Sequence, residues 1–494
     1  MPHRFLEIVP GVSAWGTLIL LVLLSWKIPA FVAVFIVLFD LYWLLKIVYL
    51  YFNLRFSFVA MKKNEKIDWL LRLKEEKSED WEKLRHLVVY PVYKESYDVV
   101  RAGIISILKT NYPNEKILIA LALEERAGDQ VFEIGKRAKE EFEKKFGVFF
   151  VSYHPANLPG EIPGKGSNDT YAVKKMKAEV IDKLNISYDD IIVSVFDIDT
   201  HPGKEYFGIL SHKFLNEENP TRASYQPIPI YTNNFHKVSP FARLIGFSST
   251  FWQLMQQARP EQLVTFSSHS IPFRSLSEVG FWHTDIVSED SRIFFQCLTH
   301  FNGNWKVVPL LYPVYMDAVS GKTFFEAMKN LYKQQRRWAW GIENFPFMIR
   351  EFAKKKEIPR RIKHFWTLLT FDGFYSWATS SFVIFLFGWL PNILGGDLFR
   401  TTLFSYNLPR ITGYLVNFST IGIITSAFLT LLLIPRNERV KKRYYLFYLL
   451  QWILMPFTFI VFGSIPALES QTRMMLGGKF KLGFWVTPKD SRGK

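Results

Sequence analysis

An α/β domain with a mostly parallel sheet, set between two blocks of membrane-crossing helices, is the fold class this sequence predicts. Three observations carry it: long apolar runs confined to the two ends, a charged Lys- and Glu-rich middle, and a strand–helix–strand pattern where that middle begins.

At the N-terminal end, "SAWGTLILLVLLSW" and "PAFVAVFIVLFDLYWLLKIVYLYF" are parted only by Lys27 and Ile28. With its flanks, each is long enough for a hydrocarbon core of roughly 30 Å. A cleavable signal peptide has one short apolar stretch and a small-residue cut site, whereas here a second span follows at once. Residues 1–54 therefore predict a two-helix transmembrane hairpin, and residues 55–345 a water-facing domain. A basic interfacial segment, 346–364, comes next. In 365–466, "FWTLLTFDGFYSWATSSFVIFLFGWL" and "ITGYLVNFSTIGIITSAFLTLLLI" read as two more spans, and "YYLFYLLQWILMPFTFIVFGSIPAL" as a third, before an interfacial tail, 467–494.

Charge sets the orientation. "MKKNEK", "REFAKKKEIPRRIKH" and "RNERVKKR" flank the spans, so these faces are expected in the cytoplasm, as is the large domain, of a multi-pass protein of the cell membrane. The formal net charge of +16 follows from this rule and from attraction to anionic membrane lipids. Nucleic acid is excluded as a partner because the basic clusters track the membrane boundaries and no nucleic-acid module is recognisable. The single Cys297 has no companion for a disulfide or a zinc site, which fits a reducing compartment.

In the middle, "HLVVYPVYKES" and "KILIALALEERAGD" read as strands ending in polar turns, with "DVVRAGIISILKT" at helical spacing between them. Such a βαβ unit favours a parallel sheet with its ligand at the carboxyl ends of the strands. Ile134, Ala138, Phe142 and Phe146 recur every four residues and mark the core face of a helix. "VFFVSYHP" and "IIVSVFDID" are further strands. Between them, "LPGEIPGKGSNDT" imitates a phosphate loop but fails it: Gly160 lies one residue too near Gly164-Lys165, and Gly166 replaces the Ser or Thr that holds magnesium. What remains is either a flexible loop that offers Lys165 to a phosphate or a plain surface loop.

Three chemical features follow. Asp197 and Asp199 end a strand two residues apart, a spacing that points both carboxylates to one face, where they repel unless something positive lies between them. Glu289 and Asp290 precede a helical run; taken singly, they are equally explained as carboxylates stabilised at a helix N-terminus. Gln334, Arg337 and Trp338 fall on one helix face, as a binding surface or as an interfacial anchor, and Trp340 also reads as an anchor.

In this order the motifs resemble those of the membrane-embedded family 2 glycosyltransferases, the group of cellulose, hyaluronan and chitin synthases. "VVYPVYKES", Asp197-Ile198-Asp199, Ser288-Glu289-Asp290 and Gln334-Gln335-Arg336-Arg337-Trp338 carry the likeness, and "FWVTPK" (Phe484 to Lys489) looks like the gating-loop motif of cellulose synthases. The resemblance implies a Rossmann-like GT-A fold, a nucleoside diphosphate sugar as donor, most simply a UDP-sugar, a glycan or lipid acceptor, and Mg2+ or Mn2+. It makes Asp199 the direct metal ligand, with Asp197 on the metal's waters or the ribose. Asp290 becomes the base for inverting transfer, with Glu289 beside it. Tyr93, Glu95, Glu124 and Lys165 would contact the nucleotide, Gln334 and Arg337 the diphosphate, and Trp338 the acceptor sugar.

Two departures stand out. The family's aspartate pair after the second strand is Glu124 and Glu125 here. And two spans before the domain with three after would put the C-terminus outside, away from a cytoplasmic site. Either 444–468 lies along the interface or re-enters, with "PALESQTRMMLGG" as an amphipathic helix, or the "FWVTPK" match is coincidence. Asp40, midway along the second span, either faces a translocation path or pairs with a neighbouring helix. A processive polysaccharide synthase is the leading expectation; single transfer to a lipid, such as a ceramide or polyprenyl phosphate, is the second, and a non-catalytic sugar-nucleotide binder the third. Oligomeric state and the identity of the sugar are left open.

Overall fold

The computed structural model describes residues 3–77, 79–434 and 442–487. The expected strands form: β1 (Arg85–Val92), β2 (Ile117–Glu124), β3 (Val148–His154) and β4 (Ile191–Val195). They pair in parallel, β1 with both β2 and β4, and β2 with β3. Both faces of this half are covered. Leu87 and Val89 pack with Val173, Met176 and Phe294, while Val88 and Tyr90 pack with Ile104, Phe142 and Phe207 on the other side. That double burial explains why β1, β2 and β4 read as unbroken apolar runs.

The second half of the sheet is mixed. β5 (His201–Pro202), β6 (Ala223–Ile230), β7 (His269–Pro272) and β8 (Lys306–Tyr315) complete one eight-stranded sheet in the order β3-β2-β1-β4-β7-β6-β8-β5. β7 runs antiparallel to β4 and β6, β5 antiparallel to β8, and β6 parallel to β8. The carboxyl ends of β1, β2 and β4 therefore face the turn that leads into β7.

Two expectations are corrected at these strand ends. β4 stops at Val195, so Asp197 and Asp199 stand in a turn rather than on a strand, closed by Thr200 N–H donating to Asp197 O (2.8 Å). The segment around Lys165 is not an exposed loop either: a helix, Lys165–Met176, starts there, and the Lys165 side chain is only 10 % exposed. Gly103, on the Tyr97–Leu108 helix, sets the height of the acidic turn. A Cβ there would lie 2.4 Å from Ile198 O, between the two aspartates, so this helix approaches the turn as closely as a backbone allows.

The apolar helices also assemble. Arg4–Lys27, Pro29–Asn64 and Leu403–Leu433 are long and apolar enough to cross a membrane, and Arg360–Phe385 joins Phe387–Leu394 at a 50° bend into one further candidate. Each of these has one end on the α/β domain or on a segment packed against it. Arg4 donates to Met474 O (2.8 Å), Asn64 to Leu311 O (3.0 Å) and Lys363 to Phe352 O (2.7 Å), while Leu433 and Ile434 pack with Phe251 and Trp452. At the opposite end Pro29 touches Gly395, and Ala33 packs with Phe399 and Leu408.

Arg443–Leu476 passes the same test of length and composition, yet it meets the domain at both ends. Near its start Tyr448 Oη pairs with His236 Nδ1 (2.9 Å) and Arg243 Nε donates to Gln451 Oε1 (2.8 Å). Near its end Glu469 accepts from Arg336 (2.7 Å) and Tyr332 (2.7 Å). These contacts seat both ends of the segment on the domain, and its last part, Ile465–Leu476, is the helix expected from "PALESQTRMMLGG". Most of the basic run "RNERVKKR", at 436–441, lies outside the described residues, as do Pro488 and Lys489. Asp40 is buried among the helices, with no hydrogen-bond partner at Oδ1 among the described residues. Trp340 is not an exposed anchor but is buried, its Nε1 donating to Glu343 (2.9 Å).

Gly103→Ala is expected to lower the thermal midpoint, by an overpacking cost of about 1–3 kcal/mol, because backbone rather than a flexible side chain must give way. A melt of the variant equal to the parent's would show that the turn is not pinned there.

Candidate functional site

The site gathers where four segments meet: the turn after β4, the start of the Lys165–Met176 helix, residues 265–267 before β7, and the start of the Glu289–His300 helix. Lys165 Nζ donates to Asp197 Oδ1 (2.8 Å), and Ser267 Oγ donates to Asp197 Oδ2 (2.8 Å). The same serine's N–H donates to Asp290 Oδ2 (3.1 Å), while Ser291 N–H donates to Asp290 Oδ1 (2.8 Å). One residue thus links the acidic turn to the acid of the Glu289–Asp290 pair. Asp199, 4 % exposed, takes the Asp317 N–H at Oδ2 (2.9 Å), and its carbonyl accepts from Asn233 (3.0 Å).

Charge is concentrated under this surface. Burial works against the Lys165 ammonium, but Asp197, Glu289, Asp169 and Asp290 together hold its pKa above the usual lysine range. Burial, then the Asp290 carboxylate, raises Glu289 to about 8 against the pull of Lys165 and Arg337. Gly166 is what lets the two helix starts meet, since a Cβ there would lie 2.9 Å from Glu289 Cβ. Asp169, one turn beyond Lys165 and not singled out by the sequence, is fully enclosed, and burial raises its carboxyl well above the usual range.

Tyr93, Glu95 and Glu124, which the resemblance assigns to the nucleotide, form a second patch. Tyr93 N–H donates to Glu95 Oε2 (2.7 Å), which shapes the turn after β1. Arg126, also missed in the sequence, lies 4.1 Å from the Tyr93 ring centre and ion-pairs with Glu124, whose carboxyl burial raises. Lys165's helix is tied to the end of β2 by Asn168, which donates to Ala122 O (2.8 Å).

On the Phe324–Ala339 helix, Gln334 and Trp338 line one small cavity, as their spacing predicts. Trp338 packs against Phe266 (5.7 Å between ring centres) and Tyr231 (6.3 Å). Arg337 turns instead toward the Phe484 ring, 5.1 Å away. Phe484 also covers Gly164, where a Cβ would lie 2.6 Å from its ring, and Lys333 stands 5.1 Å from the Trp485 ring centre. The "FWVT" segment is therefore seated on the site. Glu343 ties the halves together: its Oε1 accepts from Val287 N–H (3.1 Å), Ser288 N–H (2.9 Å) and Ser288 Oγ (2.6 Å). A groove of about 580 Å³ between Arg101, Lys109, His201 and Lys204 holds none of the expected site residues.

A mixed eight-stranded sheet with acids gathered at its strand ends is the Rossmann-like core that the resemblance implies. Residues 192–465, more than half of the 494-residue chain, match the family described as glycosyl transferase family group 2. The chain belongs to that family and is a glycosyltransferase. Among solved structures it is similar to a mannosyltransferase from Pyrobaculum calidifontis in complex with GDP-Man and Mn2+, at 14 % identity, covering 82 % of this chain and 99 % of that one (TM-score 0.38). It is also similar to S. aureus TarS 1-349 in complex with UDP-GlcNAc, at 14 % identity over 69 % and 90 % of the two chains (TM-score 0.31). No curated protein matches the chain.

The raised Glu289 has a thermodynamic consequence. Its folded pKa of about 8 exceeds the ordinary 4.5, so folding takes up a proton between those values and stability falls as pH rises through that window. Glu289→Gln keeps the neutral form at every pH. Its melting point should match the parent's near pH 5 and exceed it increasingly toward pH 8.5; parallel curves would show that Glu289 titrates normally.

Proposed function

We propose that this enzyme is an inverting glycosyltransferase that moves a sugar from a nucleoside diphosphate sugar, of the UDP class, to a growing polysaccharide at the cytoplasmic membrane face. The Ser267 link between Asp197 and Asp290 carries the reading, because it sets a donor-side acid and a proton acceptor within one residue's reach.

The sugar's anomeric carbon loses its bond to the diphosphate as it gains one to an acceptor oxygen, and Asp290 takes the proton that oxygen gives up. Lys165 and Arg337 supply positive charge toward the departing diphosphate, and Gln334 an amide. Tyr93, with Glu95 and Glu124 around it, offers a ring to the base once Arg126 is displaced. Asp197 and Asp199 suit a hard cation. Phosphate and water would complete an oxygen shell around Mg2+ or Mn2+. Asp199 would hold it directly and Asp197 beside it, and the bound ion would neutralise charge on the leaving group.

The helix contacts support four crossings, with 1–54 and 365–434 as the membrane blocks, 55–345 as the catalytic domain, 346–364 as a basic link, and Arg443–Leu476 lying on the domain. Both chain ends are then on the domain's side, which reconciles the span count with "FWVT" at the site. A lipid acceptor is the second reading. It is favoured by the nearness of the Phe324–Ala339 helix to the apolar helices, where a Cβ on Gly341 would lie 3.1 Å from Phe374.

Membranes given labelled UDP- and GDP-sugars should incorporate sugar only with Mg2+ or Mn2+ present. A polymer retained in vesicles supports the first reading, and one sugar on an extractable lipid the second. Asp290→Asn should lose about 100-fold or more in transfer while still binding donor, and Asp199→Ala should weaken donor binding in the presence of metal. Transfer by Asp290→Asn at the parent's rate removes the base. For topology, an impermeant maleimide should label Leu398→Cys from outside, but Glu218→Cys and Gly483→Cys only after permeabilisation. Outside labelling of Gly483→Cys would defeat the four-crossing arrangement.

A further inference from the structure

Tyr231 follows the last residue of β6 and is held on every side. Asn233, two residues on, donates to Asp199 O (3.0 Å) and to Tyr315 O (3.1 Å), and Asn233 N–H donates to Met316 O (3.2 Å). Gly246 lets the ring sink in, since a Cβ there would lie 2.9 Å from Tyr231 Cβ. The ring then leans on Trp338 at 6.3 Å. Yet its hydroxyl, buried in a side chain only 4 % exposed, has no hydrogen-bond partner among the described residues. Burial, then Asp197, Asp199 and Asp290, push that phenol well above its ordinary pKa against the opposing charge of Arg337, so it stays a neutral donor.

A buried, unsatisfied hydroxyl costs free energy unless a ligand uses it. Phenylalanine would fill the same volume without that cost. The adjoining cavity measures about 10 Å³, room for about one water or one hydroxyl group. It is lined by Tyr231, Gln334 and Trp338 with aliphatic side chains from Ile245, Val319 and Leu331. No Lys, Arg or His lines the slot itself, and its room for one hydroxyl suits a neutral group and is too small for a phosphate. Two aromatic faces, an amide and a phenol are the groups that recognise a neutral sugar ring and its hydroxyls.

We propose that Tyr231 is an acceptor-binding residue whose hydroxyl donates to a hydroxyl of a neutral acceptor sugar seated against Trp338. This rests on the glycosyltransfer reading above and deepens it, because it makes the accepting group a carbohydrate rather than a lipid phosphate. Tyr231 holds the acceptor's end beside Asp290 and takes no proton itself.

The test uses the full-length protein in membranes, the labelled donor that the parent turns over, and two kinds of acceptor: a panel of cello-, manno- and chito-tetrasaccharides, and undecaprenyl phosphate. Tyr231→Phe keeps the ring on Trp338 and removes only the hydroxyl. The expected result is transfer to a tetrasaccharide with KM raised about tenfold, unchanged donor affinity, and a thermal midpoint equal to or above the parent's. A merely structural tyrosine would lower the midpoint and leave KM alone. An unaltered KM, or a parent that uses undecaprenyl phosphate in preference to every tetrasaccharide, overturns the proposal while transfer itself stands. A parent that transfers to neither kind of acceptor, and to none already in the membrane, defeats the glycosyltransfer reading and this proposal with it.

Discussion

The pair of Lys165 and Asp197, an almost enclosed ammonium on a half-buried carboxylate, is the constraint on which the catalytic surface depends. Bringing an ammonium and a carboxylate out of water is costly unless each is satisfied. Here the cost is offset by their 2.8 Å contact, the Ser267 hydroxyl on the second carboxylate oxygen, and further acids around the lysine. Satisfying that pair draws together the helix start at Lys165, the turn after β4, the segment before β7 and, through the Ser267 amide, the helix that begins at Glu289. None of these is adjacent in sequence. Charge compensation, more than apolar packing, therefore gives the strand ends their common site.

Two further carboxylates extend the same logic toward the membrane. Glu343 accepts from the backbone ahead of Asp290 and from Trp340, so the acid's helix and the Gln334–Trp338 helix keep one geometry. Glu469 accepts from Arg336, Tyr332 and Arg473, and so fastens the Arg443–Leu476 helix to the back of the Gln334–Trp338 helix. That attachment decides the course of the chain after residue 476 and delivers Phe484 to Gly164 and Arg337. A helix apolar enough for lipid lies on protein because polar side chains at both of its ends have partners there.

The legible parts of the fold were those with a simple physical period. β1, β2 and β4 are buried on both faces and read as apolar runs, and Ile134, Ala138 and Phe142 mark a helix with one buried side. The mixed half of the sheet carried no such signal. β5 has two residues, β7 has four, and β6 and β8 hold Pro227, Pro229, Pro309 and Pro313, which ordinarily argue against a strand. A register shift between Gln226 and Ile228 accommodates them. Of the site, acids and aromatics in spaced motifs were visible, whereas Ser267, Arg126 and Tyr231 lie in unremarkable local sequence and matter through what lies across from them.

By itself, the sequence determined which chemical groups are present and which segments are apolar enough for lipid, because residue identity and hydrophobic period are local properties. It also placed Asp197, Asp199, Asp290, Gln334 and Trp338 in an order that only one family resemblance satisfied. Tertiary structure alone decided that the two aspartates stand in a turn, that Lys165 is enclosed and charged, that the last apolar helix lies on the domain, and that one serine links two distant acids. These outcomes depend on distances between residues far apart in the chain, set by compensation of buried charge and by close backbone approach at Gly103 and Gly166.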